Sequence, residues 1–250
     1  MIGILVGERR HPLRHRTHPG LPRTLRNAAM GAASAAVVAL VETPVTRWIA
    51  RGNIAHRRGL GQHLPGRLGV VASFLAMDYG FYLWHVATHR LTFLWRFHRV
   101  HHVDPDMDMS TAIRFHLLDM LVSLPWRMLQ VRASGIGPST LAAWQRFFTL
   151  SILFHHSNLG LPPDWDRRLS WVLTTPRMHG IHHSVRAAQR DSNWSSGFSV
   201  WDRLHRTLRQ DVPPTAIIIG IDDPAALSDV TLGQALLAPF RPMPSPERHA

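Results

Sequence analysis

Histidine is the residue type in this chain whose number and spacing most clearly point to chemistry. The 250 residues include 18 histidines and no cysteine. On a helix, residues three or four apart lie on one face with Cβ atoms about 5–6 Å apart, so two imidazoles can share one metal ion. Four clusters have this kind of spacing or place histidines side by side: His85-x-x-x-His89, His98-x-x-His101-His102, His155-His156 and His179-x-x-His182-His183. The clusters therefore indicate metal binding through nitrogen.

Chance does not explain this pattern. At this histidine content, roughly 0.1 copies of His-x-x-His-His are expected in the chain by template counting, and two are present. One such histidine alone is more typical of a satisfied polar core residue, but the set favours a metal site. Eight or more histidines exceed what one tetrahedral or octahedral ion can use, so two ions are implied. Imidazole suits zinc, copper, iron and nickel alike; a dinuclear centre with positions open to oxygen fits so many ligands better than a structural zinc.

Composition excludes several other chemistries. Without cysteine there are no disulfides, thiolate nucleophiles or iron–sulfur clusters. All 28 basic residues other than histidine are arginines, which excludes Schiff-base and P-loop lysines. The net charge of +12 would suit nucleic acid, but the arginines flank apolar stretches instead of forming one block. That distribution is typical of membrane proteins at headgroup level, so we expect a membrane and no nucleic acid.

Apolar segments predict the elements that carry the histidines. They cover 28–41, which Glu42 and Pro44 interrupt, then 68–84, 115–130 and 141–156. The last two, joined by a turn, read as a helical hairpin dipping into the bilayer. The predicted fold is all-α: a polytopic membrane helical bundle of about four membrane helices with a cytoplasmic histidine cap. We expect a basic N-terminal arm over 1–27, a membrane-embedded domain over 28–210, and a Pro-rich C-terminal tail over 211–250 in which the run at Ile217 could pair as a strand.

Local signals refine this picture. Thr175 and Pro176 are typical of a helix N-cap and first helical position, which places the last histidine cluster in the first two turns. Asp78 lies two turns before His85 and shares its face, so it could bind the outer nitrogen of a ligating histidine. For the three carboxylates Asp104, Asp106 and Asp108 we favour a solvated loop over that same role.

Taken in order, these residues resemble the fatty acid hydroxylase / sterol desaturase superfamily, integral membrane non-haem di-iron oxygenases. The resemblance covers roughly residues 70–210. Its motifs begin at these positions: Asp78-x-x-x-Tyr82-x-x-His85-x-x-x-His89-Arg90, Trp95-x-x-His98-x-x-His101-His102, Thr111-x-x-Arg114-x-His116, Phe154-x-His156-x-Asn158, Thr175-Pro176-x-x-His179-x-x-His182-His183, Asp191-x-Asn193-Trp194 and Trp201-Asp202-x-Leu204.

The resemblance implies two iron ions, O₂ as co-substrate, and electrons from a separate electron-transfer protein or reductase that uses NAD(P)H. It implies no catalytic side chain beyond the metal centre and leaves His155 outside it. The chain departs from the family pattern at two places. After His116 it has Leu117-Leu118-Asp119 instead of Pro and Glu, so a supporting carboxylate at Asp119 is only plausible. Arg206 stands where glycine is usual. The implied metal ligands are His85, His89, His98, His101, His102, His156, His179, His182 and His183, with His116 as a possible tenth.

Two functions of different classes follow. The first is O₂-dependent hydroxylation or desaturation of a lipid C–H bond, with the lipid itself undetermined. The alternative is a non-catalytic, histidine-rich membrane metal-binding or carrier protein, whose ligands should lie near the bilayer midplane. The clusters lie at helix ends, which favours the enzyme. The arginines in 1–27 predict that the histidines face the cytoplasm. The arginine-rich 47–67 loop would then face outward. It would face the cytoplasm only if the segment 28–50 dips into the near leaflet and returns.

Overall fold

The computed structural model describes residues 2–17, 20–222 and 231–242. Over these ranges the chain is helical and has no β-strand, which confirms the all-α prediction. The β-branched run after Ile217 forms only one isolated bridge, between Ile219 and Ser184. The α-helices are α1 (Ile2–Arg10), α2 (Leu21–Val37), α3 (Thr43–His56), α4 (Gly66–Arg90), α5 (Thr92–His102), α6 (Leu117–Ser134), α7 (Pro138–His156), α8 (Pro163–Leu169), α9 (Pro176–His182), α10 (Ala187–Arg190), α11 (Val200–Leu204) and α12 (Leu232–Leu237).

Helices α2 and α3 form one continuous rod, so Glu42 and Pro44 interrupt the apolar run of the sequence but not the helix. A π-helical turn over Val38–Glu42 joins them. Pro44 lies in the first turn of α3, where the wider turn before it relieves the clash that a proline ring makes with the carbonyl of residue i−4. The chain therefore stays helical from Leu21 to His56.

Four helical rods, α2–α3, α4, α6 and α7, run alternately up and down. The connection before α4 and the turn between α6 and α7 meet: Gln62 Nε2 donates to the Gly135 carbonyl over 2.7 Å. Gly59 and Gly135 pack backbone to backbone, both at positive φ (83° and 69°). A Cβ on either glycine would collide with the backbone of the other connection. Glycine is needed at both positions. Both connections thus lie at one end of the bundle, and α4 and α7 carry their histidines to the opposite end.

A core of apolar side chains from α3, α4, α6 and α7 holds the rods together, with Ile49, Met77, Val131, Leu141 and Trp144 at its centre. Among the described residues, two helical stretches are long and apolar enough to cross a membrane, Leu21–Gln62 and Gly66–Arg90. They support a membrane protein. The α6–α7 hairpin falls short of that criterion, so the prediction of about four spans stays a prediction.

Residues 2–17 and 20–27 pack onto the histidine end of the bundle, where the sequence predicted only a basic arm. Glu8 of α1 is buried and accepts hydrogen bonds from the backbone N–H groups of Met109 (3.1 Å) and Asn158 (3.0 Å). Burial raises the pKa of the Glu8 carboxyl. At the other end of the chain, Arg99 donates to the Ala238 carbonyl over 2.7 Å, which attaches the segment after α12 to α5.

Candidate metal centre

Nine histidines from the four clusters meet at one end of the bundle. His85 on α4 and His182 on α9, far apart in sequence, have ring centroids 4.5 Å apart. Side-chain nitrogens form three groups within which the ligand atoms lie no more than 4.8 Å from one another. The groups are His85, His89, His98 and His102; His101, His156, His179 and His183; and His102, His182 and His183. The predicted convergence on a single site is present in the structure.

Four helix ends position these side chains. α4 ends in His85 and His89, one turn apart on one face. α5 begins two residues after α4 ends and supplies three histidines from its last turns. α7 ends at His156. α9 starts at the predicted cap, where Thr175 Oγ1 accepts from the Met178 N–H over 3.5 Å, and so presents its histidines within two turns.

Backbone carbonyls orient several of the rings. Nδ1 of His85 lies 2.7 Å from the Trp194 carbonyl, and Nδ1 of His182 lies 2.9 Å from the Ser192 carbonyl. A carbonyl only accepts, so each Nδ1 must carry the proton and donate. In a neutral imidazole, Nε2 then keeps its lone pair, which faces the other histidines. These carbonyls were missed by sequence reasoning because any residue type can supply one; the Asp191-x-Asn193 motif was the only signal for the loop that carries them.

Many of the inward nitrogens lack partners, and this is the test of whether the residues fit a metal. In the second group, by contrast, Nε2 of His156 lies 2.9 Å from Nε2 of His101 and 3.1 Å from Nε2 of His179. Buried nitrogens with no hydrogen-bond partner include Nε2 of His89, His98 and His182 and both ring nitrogens of His102 and His183. Buried polar atoms without a partner cost free energy. Cations bound between the rings would satisfy these lone pairs, so an all-imidazole donor set fits metal ions of the kind that nitrogen prefers.

Burial keeps the histidines neutral. Desolvation lowers the pKa of His101, His102, His179, His182 and His183 well below the ordinary value, and the neighbouring imidazoles lower it further. Both effects disfavour the imidazolium form. The site is therefore held in the protonation state that binds metal.

One carboxylate supports the ligands directly and one does so through the backbone. Asp119 Oδ2 lies 3.5 Å from His98 Nδ1, the supporting position considered plausible from sequence. Asp202 is fully buried and accepts from the backbone N–H groups of Trp194 (2.8 Å) and Ser195 (3.0 Å). Since the Trp194 carbonyl holds His85, Asp202 fixes that ring through one peptide unit.

Asp78 does not contact a histidine, so its predicted role is wrong. Its Oδ2 accepts from the Phe198 N–H (3.0 Å) and from Trp201 Nε1 (2.7 Å). Helical spacing puts Asp78 on the same side as His85, but two turns lower, where the loop before α11 packs. Asp78 therefore anchors that loop to α4.

The three acidic residues after the second cluster are buried, not solvated as predicted. Arg23 Nε donates to Asp104 Oδ1 over 2.7 Å, and Arg23 Nη1 donates to Asp108 Oδ2 over 2.6 Å. The Arg23 guanidinium lowers the pKa of the Asp108 carboxyl, against the effect of its burial. Asp106 accepts from the Thr17 N–H over 2.9 Å. The partners come from the first 27 residues, which sequence reasoning had treated as a separate arm.

Two histidines stand apart from the groups of potential ligands. His116 caps α6: its Nδ1 accepts from the Leu118 N–H (3.1 Å) and its Nε2 faces the Leu236 carbonyl (3.1 Å). Both ring nitrogens are therefore engaged away from the centre, which argues against a tenth ligand. His155 is fully buried with its ring centroid 3.9 Å from that of His179, yet it belongs to none of the three groups.

A cavity of about 450 Å³ opens beside the centre, between the rods α2–α3, α4, α6 and α7. Five of the nine histidines reach its wall: His85, His98, His101, His156 and His179. The neighbouring part of the wall is apolar and includes Phe81, Phe148 and Ile152. An apolar chain could thus lie with one carbon against the histidines.

Comparison with known proteins agrees with this geometry. The profile of the fatty acid hydroxylase family matches residues 70–207. The chain is 31% identical over 137 residues to alkylglycerol monooxygenase of Xenopus tropicalis (54% of this chain, 29% of that protein) and 27% identical over 195 residues to the ornithine lipid hydroxylase OlsE of Rhizobium tropici (78% and 56%). It is 26% identical over 149 residues to human cholesterol 25-hydroxylase (56% and 51%).

The match spans between about a third and somewhat more than half of the length of these relatives. No solved structure matches the chain with statistical significance. The matched region begins in α4 and ends just after α11, so it contains all nine histidines of the centre.

Proposed function

We propose that this chain, which belongs to the fatty acid hydroxylase family, binds two iron ions and uses O₂ to oxidise a C–H bond of a membrane lipid. The observation that carries the proposal is that the histidine cluster, with its buried unpartnered nitrogens, reaches the wall of an apolar cavity. Two histidines that have such a nitrogen, His98 and His179, line the cavity themselves, so an apolar substrate could lie beside the cluster. A histidine cluster alone or an apolar cavity alone would suit other functions. A histidine cluster that lines an apolar cavity favours oxidation of a lipid.

The histidine groups divide the proposed ligands between two ions. His85, His89, His98 and His102 would hold one, and His101, His156, His179 and His183 the other. His182 lies close to His102 and His183, between the two sets. Iron bound here would supply the O₂ activation for which the protein has no side chain. His116 is left out because both of its ring nitrogens are engaged elsewhere.

The protein's own residues position the histidine rings and keep water away from the substrate. Carbonyls and Asp119 fix the rings, so the nitrogens converge without rearrangement. Phe81, Phe148 and Ile152 exclude water from the place where a C–H bond would lie. Electrons would come from a separate donor protein or reductase that uses NAD(P)H. Hydroxylation is favoured over desaturation because the relatives named above are hydroxylases and monooxygenases.

The alternative, a non-catalytic metal carrier, fits the structure less well. A carrier needs a path for ions lined by polar groups, with ligands near the middle of the membrane. Here the ligands lie at the ends of the helices, and the cavity that reaches them has an apolar wall.

The test combines metal content with turnover. The purified protein should hold two irons per chain and consume O₂ when given a reductant and membrane lipid. His101→Ala and His182→Ala should lose iron and all turnover, whereas His116→Ala should keep both irons and His63→Ala, an exposed control, should match wild type. Iron without O₂ uptake on any lipid would favour the carrier. Full activity in His101→Ala or His182→Ala would remove that residue from the ligands.

A further inference from the structure

Two opposite charges face the cavity away from the histidines. Glu42, at the end of the π-helical turn, and Arg127, in the third turn of α6, both line it. The rest of the neighbouring wall is largely apolar, with Phe81 and Phe148 close by. Charged side chains in the helical part of a membrane protein are costly and usually functional. Neither residue takes part in the metal centre.

Ring contacts give the distance between Arg127 and the histidines. The Arg127 guanidinium lies 4.8 Å from the centroid of the Phe81 ring, and that centroid lies 6.0 Å from the centroid of the His85 ring. The guanidinium is therefore no more than about 11 Å from the His85 ring. On the other rod, Glu42 follows Ser34 by about two helical turns, and the Ser34 hydroxyl donates to the Phe115 carbonyl.

The two charges share the cavity without pairing. The Arg127 guanidinium donates to Gln130 Oε1 over 3.0 Å and lies 4.8 Å from the centroid of the Phe81 ring. Among the described residues, no carboxylate lies within ion-pair distance of Arg127. Opposite charges that are partly desolvated and held apart are unfavourable unless another group lies between them.

We propose that Glu42 and Arg127 bind the hydroxyl group of a lipid alcohol, whose carbon to be oxidised then lies at the histidines, within about 11 Å of the guanidinium. The inference rests on the proposed function. A hydroxyl can accept a hydrogen bond from the guanidinium and donate one to the carboxylate at the same time. A carboxylate or phosphate would be repelled by Glu42, and a hydrocarbon would leave both charges unpaired. The substrate class is therefore a lipid alcohol whose hydroxyl is several carbons away from the oxidised carbon.

Binding of simple probes tests this proposal without turnover. The holoprotein in detergent, kept free of O₂, is titrated with hexadecan-1-ol, hexadecane and hexadecanoic acid, and affinity is measured from the shift in thermal unfolding. We expect the alcohol to bind most tightly to wild type. Arg127→Gln should weaken alcohol binding about tenfold or more, the loss of one hydrogen bond to a charged group, and should leave hexadecane unchanged.

Two further variants sharpen the result. Arg132→Gln removes an exposed arginine of the same helix outside the cavity and should bind all three probes as wild type does. Glu42→Gln should weaken alcohol binding and strengthen acid binding, because it removes the repelling charge; it also keeps the test available if Arg127→Gln fails to fold.

Two outcomes would overturn the inference. Tightest binding of the acid to wild type would mean that Arg127 recognises a carboxylate instead. Equal binding of alcohol and hydrocarbon, unaffected by Arg127→Gln, would mean that the cavity recognises no polar group. A protein that binds the alcohol as expected but never consumes O₂ would contradict the proposed function and leave this binding site standing.

Discussion

The position of the proton on each imidazole determines what the centre can bind. His85 and His182 have Nδ1 fixed as a donor by backbone carbonyls, and the lone pair of Nε2 is thereby directed inward. Burial lowers the pKa of His101 and His179 and so favours the neutral form of their rings. The fold thus directs imidazole lone pairs toward one place, and several of these nitrogens, such as Nε2 of His182, have no hydrogen-bond partner.

Asp202→Asn tests whether this orientation depends on residues outside the ligand set. Asp202 accepts from Trp194 N–H, Ser195 N–H and the Thr207 hydroxyl, and an asparagine NH₂ would face a donor with a donor. We expect the free energy of unfolding to fall by about 2–3 kcal/mol and iron to dissociate more readily, because the Trp194 carbonyl no longer holds His85. Chemical unfolding and metal analysis measure the two effects. An Asp211→Asn control, at an exposed carboxylate, should change neither; a stable Asp202→Asn protein with unchanged iron affinity would contradict the assignment.

Helix packing is the element-scale requirement, because the rods must approach closely for their ends to bring the histidines together. Gly80 on α4 is the clearest contact of this kind. Trp126 Nε1 of α6 donates to its carbonyl over 3.0 Å, and a Cβ added to Gly80 would lie 2.8 Å from Gln130 Cγ. The absence of a side chain at Gly80 sets the distance between α4 and α6.

We expect Gly80→Ala to destabilise the protein by about 1–3 kcal/mol, because the Gln130 side chain must move out of its hydrogen bond to α4. Gly52→Ala is the matched control: Gly52 is also inside a helix but has nothing within 4 Å of an added Cβ, so alanine there should stabilise by about 0.5–1 kcal/mol. Thermal unfolding distinguishes the two. Equal shifts in both variants would mean that α4 and α6 do not depend on this close contact.

The backbone conformation at Arg206 explains why the family pattern has glycine at this position. Its φ is 58°, in the left-handed region that glycine adopts without strain. The glycine usual at this position is thus a backbone requirement of the turn after α11, and this chain accepts the strain instead.

For the whole molecule, all the histidine-bearing ends lie together with the α5 connection between α4 and α6, and the other two connections between rods lie at the opposite end. α4, with 25 residues, is about 37 Å long, more than the roughly 30 Å hydrocarbon core of a bilayer. If α4 crosses the membrane, the two ends of the bundle face opposite compartments. The histidine end would then be the cytoplasmic one, as the arginines of the first 27 residues predict.

Cysteine labelling tests this topology in a chain that has no cysteine of its own. His63→Cys is exposed in the connection before α4, and Ala188→Cys is exposed on α10 at the histidine end. In sealed vesicles, a membrane-impermeant thiol reagent should reach one of them from outside and the other only after permeabilisation. Labelling of both from the same side would mean that the bundle does not cross the membrane between its two ends.

Acid stability is a second property of the whole molecule. In the folded, metal-free protein, burial depresses the pKa of His102, His182 and His183, so they stay neutral, whereas in the unfolded chain they take up protons below about pH 6.5. Stability is therefore fully present above that pH and falls as the pH drops, by about 1.4 kcal/mol per pH unit for each such histidine. Unfolding measured between pH 7.5 and 5.5 should show this slope. His183→Ala should reduce it and the exposed His63→Ala should not; a flat profile would contradict the depressed values.

The amino-acid sequence alone determined the histidine clusters, the helices that carry them and the cap of α9, because each depends on residues within a few turns of one another. Its motifs also identified the family. Only the tertiary structure decided that His116 caps a helix, that Asp78 anchors a loop, and that Arg23 neutralises Asp104 and Asp108. These assignments depend on partners up to 123 residues away, which no local pattern encodes. The placement of Glu42 and Arg127 in one cavity is of the same kind: two helices, each ordinary in sequence, bring their charges to the same cavity only when the rods pack side by side.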